Sequence, residues 1–300
     1  MTASHGLLRA AFESSGSPSW VMRVIRARGL DRRHGFELEL VLGGDRGDSR
    51  VQATQNVLAE RRADLIDTDW LSMTRSQKSD APLTAVFPYG KIMGALVVAS
   101  GSGIDDLKDL RGRRVGVIRA SDKNWLVARA ACRKRHGFDP QGEARVAEAL
   151  SKTTLIGWLE SGEVEAAALP WHLAPRVTAN ARFRQLCDVL DLLPDLGAPS
   201  IPTTFFATRP AFASTHPQLI AGFVAAYRDA VALMRADENI WREAAAEPGD
   251  APAVLASLRA AWLRRICDAW PDEASREKLD DFFERLRSAD DIDFVVPALA

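Results

Sequence analysis

Cysteine, tyrosine and histidine are scarce in this chain: three, two and five in 300 residues. Cys132, Cys187 and Cys267 stand far apart and match no zinc spacing. They exclude a cysteine-based metal site, allow at most one disulfide, and are expected to be free, mostly buried thiols. His5, His34, His136, His172 and His216 form no i,i+4 pair and have no carboxylate at ligand spacing, so no metal is expected. Net charge is missing too: 39 Lys and Arg against 40 Asp and Glu give −1, which removes the electrostatic reason for a nucleic-acid partner. No apolar run approaches the roughly 20 residues that cross a bilayer. The stretch 7–12 is broken by Arg9 and followed by Glu13, unlike the apolar region of a signal peptide.

The motifs of several chemistries are also absent. There is no Gly-x-x-x-x-Gly-Lys-Ser/Thr phosphate loop, and neither Gly101-Ser102-Gly103 nor Gly43-Gly44-x-x-Gly47 has the spacing of a dinucleotide fingerprint. No Gly-x-Ser-x-Gly nucleophile elbow occurs, and Ser275-x-x-Lys278 lies in a highly charged, surface helical stretch. No nucleophile is paired with a base, so no catalytic residue, no enzyme activity and no cofactor is expected.

What is present is a 47% apolar composition and a repeating strand–loop–helix order. Strands are expected at 7–12, 36–42, 84–87, 92–99, 114–118, 144–147, 166–169, 186–190 and 203–207, and another just before Trp70. Helices are expected at 20–28, 50–60, 105–110, 121–136 capped by Ser121, and 153–161. From Pro217 onward the reading is helical, over 219–235, 238–246, 252–268 and 274–287. This is the βαβ grammar of an α/β protein with a parallel sheet and helices on its faces. A break at Pro88-Tyr89-Gly90 and an extended return near 205 divide it into lobe one, 1–90 plus 205–300, and lobe two, 91–204, with two hinge crossings.

Two phrases support that division. Glu60 to Trp70 and Glu160 to Trp171 each read as a helix end, a turn, an acidic residue, a buried strand and a Trp in the following loop. The residues beyond each strand would face one another, and the carboxyl edge of an open α/β sheet is where ligands bind. Candidates at that edge are Ser14, Ser15, Trp20, Gly44, Asp45, Thr68, Asp69, Trp70 and Tyr89 from lobe one, with Ser121, Lys123, Asn124, Trp125, Trp171 and His172 from lobe two. A helix starting near Ser121 would offer backbone N–H groups and a partial positive charge, reinforced by Lys123 and Asn124, to a carboxylate, sulfonate or phosphate. The tryptophans would give that cleft aromatic walls, Trp70 opposite Trp171. Asp67 and Asp69 share one side of their strand and either read the ligand or brace the loop.

The chain resembles the substrate-binding proteins of ABC importers for nitrate, sulfonate, taurine and thiamine precursors, the NMT1/THI5-like group. The marks are Arg28-Gly29-Leu30, His34-Gly35-Phe36-Glu37-Leu38-Glu39-Leu40, Ala63-Asp64-Leu65, the run Ser102 to Val117, His136-Gly137-Phe138-Asp139-Pro140, Ser161 to Ala166 and His216-Pro217-Gln218-Leu219. The resemblance covers about residues 7–245 and implies a two-lobe, periplasmic-binding-protein-like (type II) clamp that closes on a small solute. It implies a sulfonate, carboxylate or pyrimidine-like ligand, a membrane ABC permease as partner, a monomer, and a periplasmic location, with the cytoplasm as the alternative where no export signal precedes the chain. The other readings are a cytosolic enzyme on the same fold acting on thiamine-type or aromatic-acid compounds, and an effector-sensing domain.

Overall fold

The structure, a computed structural model, describes residues 6–13, 15–43, 57–77, 81–198, 202–274, 277–278 and 281–282. The expected helices at 50–60 and 274–287 fall largely outside these residues. Among the described residues, ten strands form two five-stranded sheets. The first contains β1 (Gly6–Glu13), β2 (Phe36–Gly43), β3 (Leu65–Asp69), β4 (Thr84–Gly90) and β10 (Thr204–Thr208), in the order β2-β1-β3-β10-β4. The second contains β5 (Gly94–Ala99), β6 (Arg114–Val117), β7 (Arg145–Glu148), β8 (Ala166–Pro170) and β9 (Phe183–Asp188), in the order β7-β6-β8-β5-β9.

The expected parallel pairing holds for β2-β1-β3 and β7-β6-β8, but the sheets are mixed. In each sheet one strand runs against its neighbours: β10 against β3 and β4, and β5 against β8 and β9. These are the strands that enter each sheet directly from the other one. Among the described residues neither strand is preceded by an α-helix that crosses over from a neighbouring strand of its own sheet, the connection that parallel pairing needs. The two sheets therefore share one plan, in which β3 and β8, the strands of the paired phrases, hold the same central place.

The break read at Pro88-Tyr89-Gly90 is not a strand end. β4 runs through to Gly90, and its register against β10 shifts between Thr204 and Phe205, where Pro88 lies opposite Phe205. Proline lacks a ladder donor and survives at the outer position of β4, beside an irregularity. On the opposite edge β2 alternates as its sequence requires, with Phe36 and Leu38 buried and Glu37 and Glu39 exposed. Behind the first sheet, Phe206 packs its ring against Phe12, Tyr89, Phe223 and Tyr227 at centroid distances of 4.9–5.7 Å.

Helices α1 (Ser17–Ala27), α2 (Trp70–Gln77), α3 (Lys123–His136), α4 (Lys152–Ser161), α5 (Ala174–Thr178), α6 (Pro217–Ala236), α7 (Glu238–Ala245) and α8 (Pro252–Arg265) cover the sheets. Helix α3 is capped by Asp122 rather than Ser121: the Asp122 carboxylate accepts the Asn124 N–H at 2.8 Å. An aspartate one residue closer to the first helical turn reaches the free N–H that serine was expected to satisfy. Both α3 and α4 end at a left-handed glycine, Gly137 and Gly162. The short helical stretch expected at 105–110 is a 3-10 turn, Leu107–Leu110.

Asp139 ties the far end of α3 to the next turn. Its carboxylate accepts from Arg129 Nε at 2.9 Å and Nη2 at 2.7 Å, from Arg133 Nη1 at 2.7 Å and from the Gln141 N–H at 2.9 Å. Burial pushes this carboxyl up, but Arg129, the Gln141 N–H and Arg133 outweigh it and bring the pKa down to about 2. A depressed carboxyl contributes stability above its unfolded value, near 3.9, and loses it as pH falls through the folded value. The expected result is that wild type loses about 1–2 kcal/mol between pH 4 and 2, after allowance for solvent screening, that Asp139→Asn does not lose. Urea unfolding of both proteins across that range measures the difference; parallel curves would refute it.

Candidate functional site

A cavity of about 260 Å³ opens between the carboxyl ends of the two sheets. From the first sheet it is lined by Ser15 to Pro18 after β1, Ile66 to Asp69 on β3, Leu71 and Ser72 on α2, Tyr89 on β4 and Thr204 on β10. From the second sheet come Ile118, Arg119 and Ser121 to Asn124 after β6, Leu150 to Lys152 after β7, and Pro170 to His172 after β8. Met93, on the connection from β4 to β5, also lines it. The cavity is therefore built where the strand-end rule for open α/β sheets places a ligand.

Of the residues singled out from sequence, Ser15, Thr68, Asp69, Tyr89, Ser121, Lys123, Asn124, Trp171 and His172 line this cavity together. Ser14, Gly44 and Asp45 lie outside the described residues. Trp20, Trp70 and Trp125 do not line it, which corrects the picture of an aromatic cleft with Trp70 facing Trp171. Trp20 is buried edge-on between Trp171 at 5.6 Å and Trp241 at 6.0 Å. Trp70 packs against Phe282 at 6.2 Å. Trp125 is fully buried, its Nε1–H donating to Gln141 Oε1 at 2.7 Å. An indole on the first turn of a helix points toward whichever core that helix covers, and burying so much apolar surface outweighs presenting it to a wet cleft. Trp171 alone keeps the expected role, as a wall backed by Trp20.

Asp67, read from sequence together with Asp69, lines the cavity too; Arg119, Met93, Ile118, Leu150, Ser151, Lys152 and Thr204 were not among the candidates but also line it. Asp67, Thr68 and Asp69 all line it, although all three are still paired with β10. Arg119 and Leu150 stand two residues past the ends of β6 and β7, and applying the strand-end rule to every strand would have found them. Leu150 adopts φ 59° with its side chain exposed. A leucine held in the left-handed region at the mouth of a cavity stores local strain of the kind seen at ligand sites.

The charges in the cavity are arranged across it. Lys123 Nζ, at the start of α3, donates to Asp69 Oδ2 at the end of β3, 3.2 Å away, so one ion pair joins the two sheets. Burial pulls the Lys123 pKa down, but Asp69, Asp122 and Asp67 raise it further, and it stays protonated. Asp69 Oδ1 also accepts the Ser72 N–H at 3.1 Å and starts α2. The Tyr89 hydroxyl donates to Asp67 Oδ2 at 3.4 Å. Asn124 is buried, with no hydrogen-bond partner for Oδ1 among the described residues. Its side chain fits because residue 94 is glycine: a Cβ there would fall 2.5 Å from Asn124 Cβ.

The described residues contain no group of three or more His, Cys, Asp or Glu placed to hold a metal ion. No helix among them is long and apolar enough to cross a membrane. The three cysteines are free, and burial pushes each thiol up to about 12.

Residues 25–239 match the family model described as NMT1/THI5 like. No curated protein matches the chain. The periplasmic aliphatic sulphonate binding protein SsuA of Escherichia coli superposes with a TM-score of 0.72 at 19% identity, covering 93% of this chain and 92% of its own. The alkanesulfonate-binding protein SsuA of Xanthomonas axonopodis pv. citri, bound to MOPS, gives 0.73 at 17% identity, covering 95% and 94%. A Candida albicans gene product described as having the generic periplasmic binding protein fold gives 0.69 at 15% identity, covering 96% and 92%. Fold and family model agree: the chain belongs to the NMT1/THI5-like family and has the two-sheet α/β fold of the periplasmic binding proteins.

Proposed function

We propose that this protein is the solute-binding component of an ABC importer. It takes a small organic solute with an anionic group, a sulfonate or carboxylate, into the cavity between its sheets without chemical change. The observation that carries this reading is the cavity itself: about 260 Å³, lined by strand ends of both sheets, with one ion pair reaching across it. A site made half from each sheet is formed only when the halves approach, so ligand and closed form stabilise each other. Arg119, Lys152 and the helix starts at Lys123 and Lys152 supply positive potential; Trp171, Met93, Ile118 and Leu150 supply apolar surface for the solute body. The two halves would be lobe one, 1–90 plus 205–300, and lobe two, 91–204, and the closed monomer would dock on a membrane permease from the periplasmic side. The solute class is supported by the two sulfonate-binding proteins that share the fold.

A thermal-shift screen over small sulfonates, carboxylates and pyrimidines tests it. A ligand at 100 times its Kd is expected to stabilise the protein by about 2.7 kcal/mol and to raise its melting temperature by several degrees. Silence across the whole screen, with calorimetry equally silent, would sink the reading.

A further inference from the structure

Helix α8 is built into the core of the first sheet, yet both of its ends hold the second. Val254, Leu258 and Trp262 of α8 are buried in one cluster with Leu8, Phe36 and Phe206 of the first sheet. The residues after α8 are fastened to the end of β4 and to α6. Arg265 O accepts the Lys91 N–H at 2.9 Å, and the Cys267 N–H donates to Tyr89 O at 3.0 Å. The Tyr227 hydroxyl donates to Cys267 O at 2.8 Å, and Arg228 Nε to Asp268 O at 3.1 Å. Toward the second sheet the links are ion pairs. Just before α8, Asp250 accepts from Arg176 of α5 at 2.9 and 2.8 Å, and Glu247 lies 3.2 Å from the same guanidinium. At its end, Arg265 and Arg264 hold Asp188 of β9, and Arg264 also holds Asp191 in the 3-10 turn that follows.

We propose that α8 is a brace: its ion pairs to Arg176, Asp188 and Asp191 favour the arrangement in which the two sheets meet around the cavity, and so set how much of the protein is ready to bind. The inference rests on the solute-binding reading. In this arrangement Lys123 and Asp69 touch across the cavity, so the halves are together while the links at both ends of α8 are made. Backbone hydrogen bonds and core packing fix α8 and residues 265–268 to one half; charged side chains reach the other. A swing of the second sheet away from the first therefore acts on the ion pairs before it acts on the backbone bonds. Several of those pairs are poorly screened. The Asp250 and Arg176 side chains are 7% and 16% exposed, and Asp188 and Arg265 are almost fully buried. Pairs withdrawn from water in this way interact more strongly than surface ones. A solute binds the fraction of molecules whose halves are together, so weakening the brace raises Kd by one factor whatever the solute.

Asp191→Asn/Asp250→Asn weakens one link at each end of α8 without stranding a charge. Arg264 keeps Asp188, Arg176 keeps Glu247, and the amide at 250 retains an oxygen for the Glu247 N–H that Asp250 Oδ2 accepts at 2.9 Å. Small-angle scattering of the solute-free proteins is expected to give the variant a larger radius of gyration than wild type. Calorimetry with ethanesulfonate and benzoate is expected to show affinity about three- to tenfold weaker, by the same factor for both probes. Glu243→Gln is the control: it removes a 2.8 Å partner of Arg28 between the end of α1 and α7, and should match wild type in both measurements. Asp191→Asn alone, at an exposed side chain, is expected to give a smaller change in the same direction and decides the matter if the double variant does not fold. Wild-type scattering from the variants, or factors that differ between the two probes, would overturn the inference. Where neither probe binds, the scattering alone decides it; the solute-binding reading itself falls only if the wider screen is silent as well.

Discussion

Replacing Arg265 with Met is expected to lower the unfolding free energy by about 3–5 kcal/mol, because it leaves a carboxylate buried without its main partner. Arg265 is the last residue of α8, and its guanidinium is among the largest fully buried groups in the protein. It donates to Asp188, at the end of β9, which is itself almost fully buried and also accepts the Leu190 N–H at 2.9 Å. Arg264 reaches the second Asp188 oxygen at 3.3 Å, but from a half-exposed position. It cannot replace the lost charge, because a partner in solvent is screened. The double variant Arg265→Met/Asp188→Asn removes both charges and keeps an oxygen for the Leu190 N–H. It is expected to recover half or more of the loss. Denaturant unfolding of the two variants and wild type at neutral pH decides the matter. A double variant as unstable as the single one would show that the loss comes from packing around Arg265 and not from the stranded charge. The pair also serves the site: the Arg265 guanidinium lies 5.3 Å from the centre of the Trp171 ring, on the wall of the cavity. Loss of Arg265 should therefore weaken solute binding beyond what partial unfolding accounts for.

That network shows what the C-terminal helices do. Helix α6 packs on the first sheet, with Phe223 against Phe206 and Tyr227 against Phe87. Beyond it the segment binds both sheets. Arg265 O accepts the Lys91 N–H at 2.9 Å, and the Cys267 N–H donates to Tyr89 O at 3.0 Å, so residues 265–267 run alongside the first crossing. Asp250 holds Arg176 of α5 through two hydrogen bonds of 2.9 and 2.8 Å. Nothing in the local sequence announces these contacts, because an arginine at the end of a helix looks the same whether it meets water or an aspartate 77 residues away.

The candidate site divides along the same physical line. Strand positions follow from short-range alternation, so the residues just past β3, β6 and β8 could be placed at the ligand edge from sequence, and Asp69, Lys123 and Trp171 do lie there. Which way a side chain turns, and what it meets, depends on the other half of the protein. Trp20, Trp70 and Trp125 were placed near the edge but turn into the core. Lys123 was read as free for an anion, and Asp69 holds it from the other sheet. The acidic loop and the basic helix start are separate features in the sequence; across the cavity Asp69 and Lys123 are one ion pair.

Gly94→Ala should damage the site from beneath, with an expected loss of about 1–3 kcal/mol in stability and more than tenfold in solute affinity. Gly94 opens β5, lies opposite Pro170 on β8, and immediately follows Met93, whose carbonyl accepts the Trp171 N–H at 3.0 Å. A Cβ there would fall 2.5 Å from both Cβ and Cγ of Asn124 and 2.8 Å from its Oδ1. Rotating the Asn124 side chain moves Cγ and Oδ1 but not Cβ, so backbone must give way. On one side it is held by the β5–β8 ladder and on the other by the Asp122 cap on the Asn124 N–H. The start of α3 is the weaker of the two, since a cap contributes only about 1 kcal/mol. When it shifts, Lys123 leaves Asp69, and the contact across the cavity is lost with it. Gly157→Ala is the matched control: that glycine lies inside α4 with nothing within 4 Å of an added Cβ. There the same change should stabilise the protein by up to about 1 kcal/mol through helix propensity and leave binding untouched. Unfolding midpoints and calorimetric affinities for the best solute from the thermal-shift screen measure both variants. Wild-type affinity in Gly94→Ala would show that the site tolerates movement of α3, and that the Lys123–Asp69 contact is not needed to hold the solute.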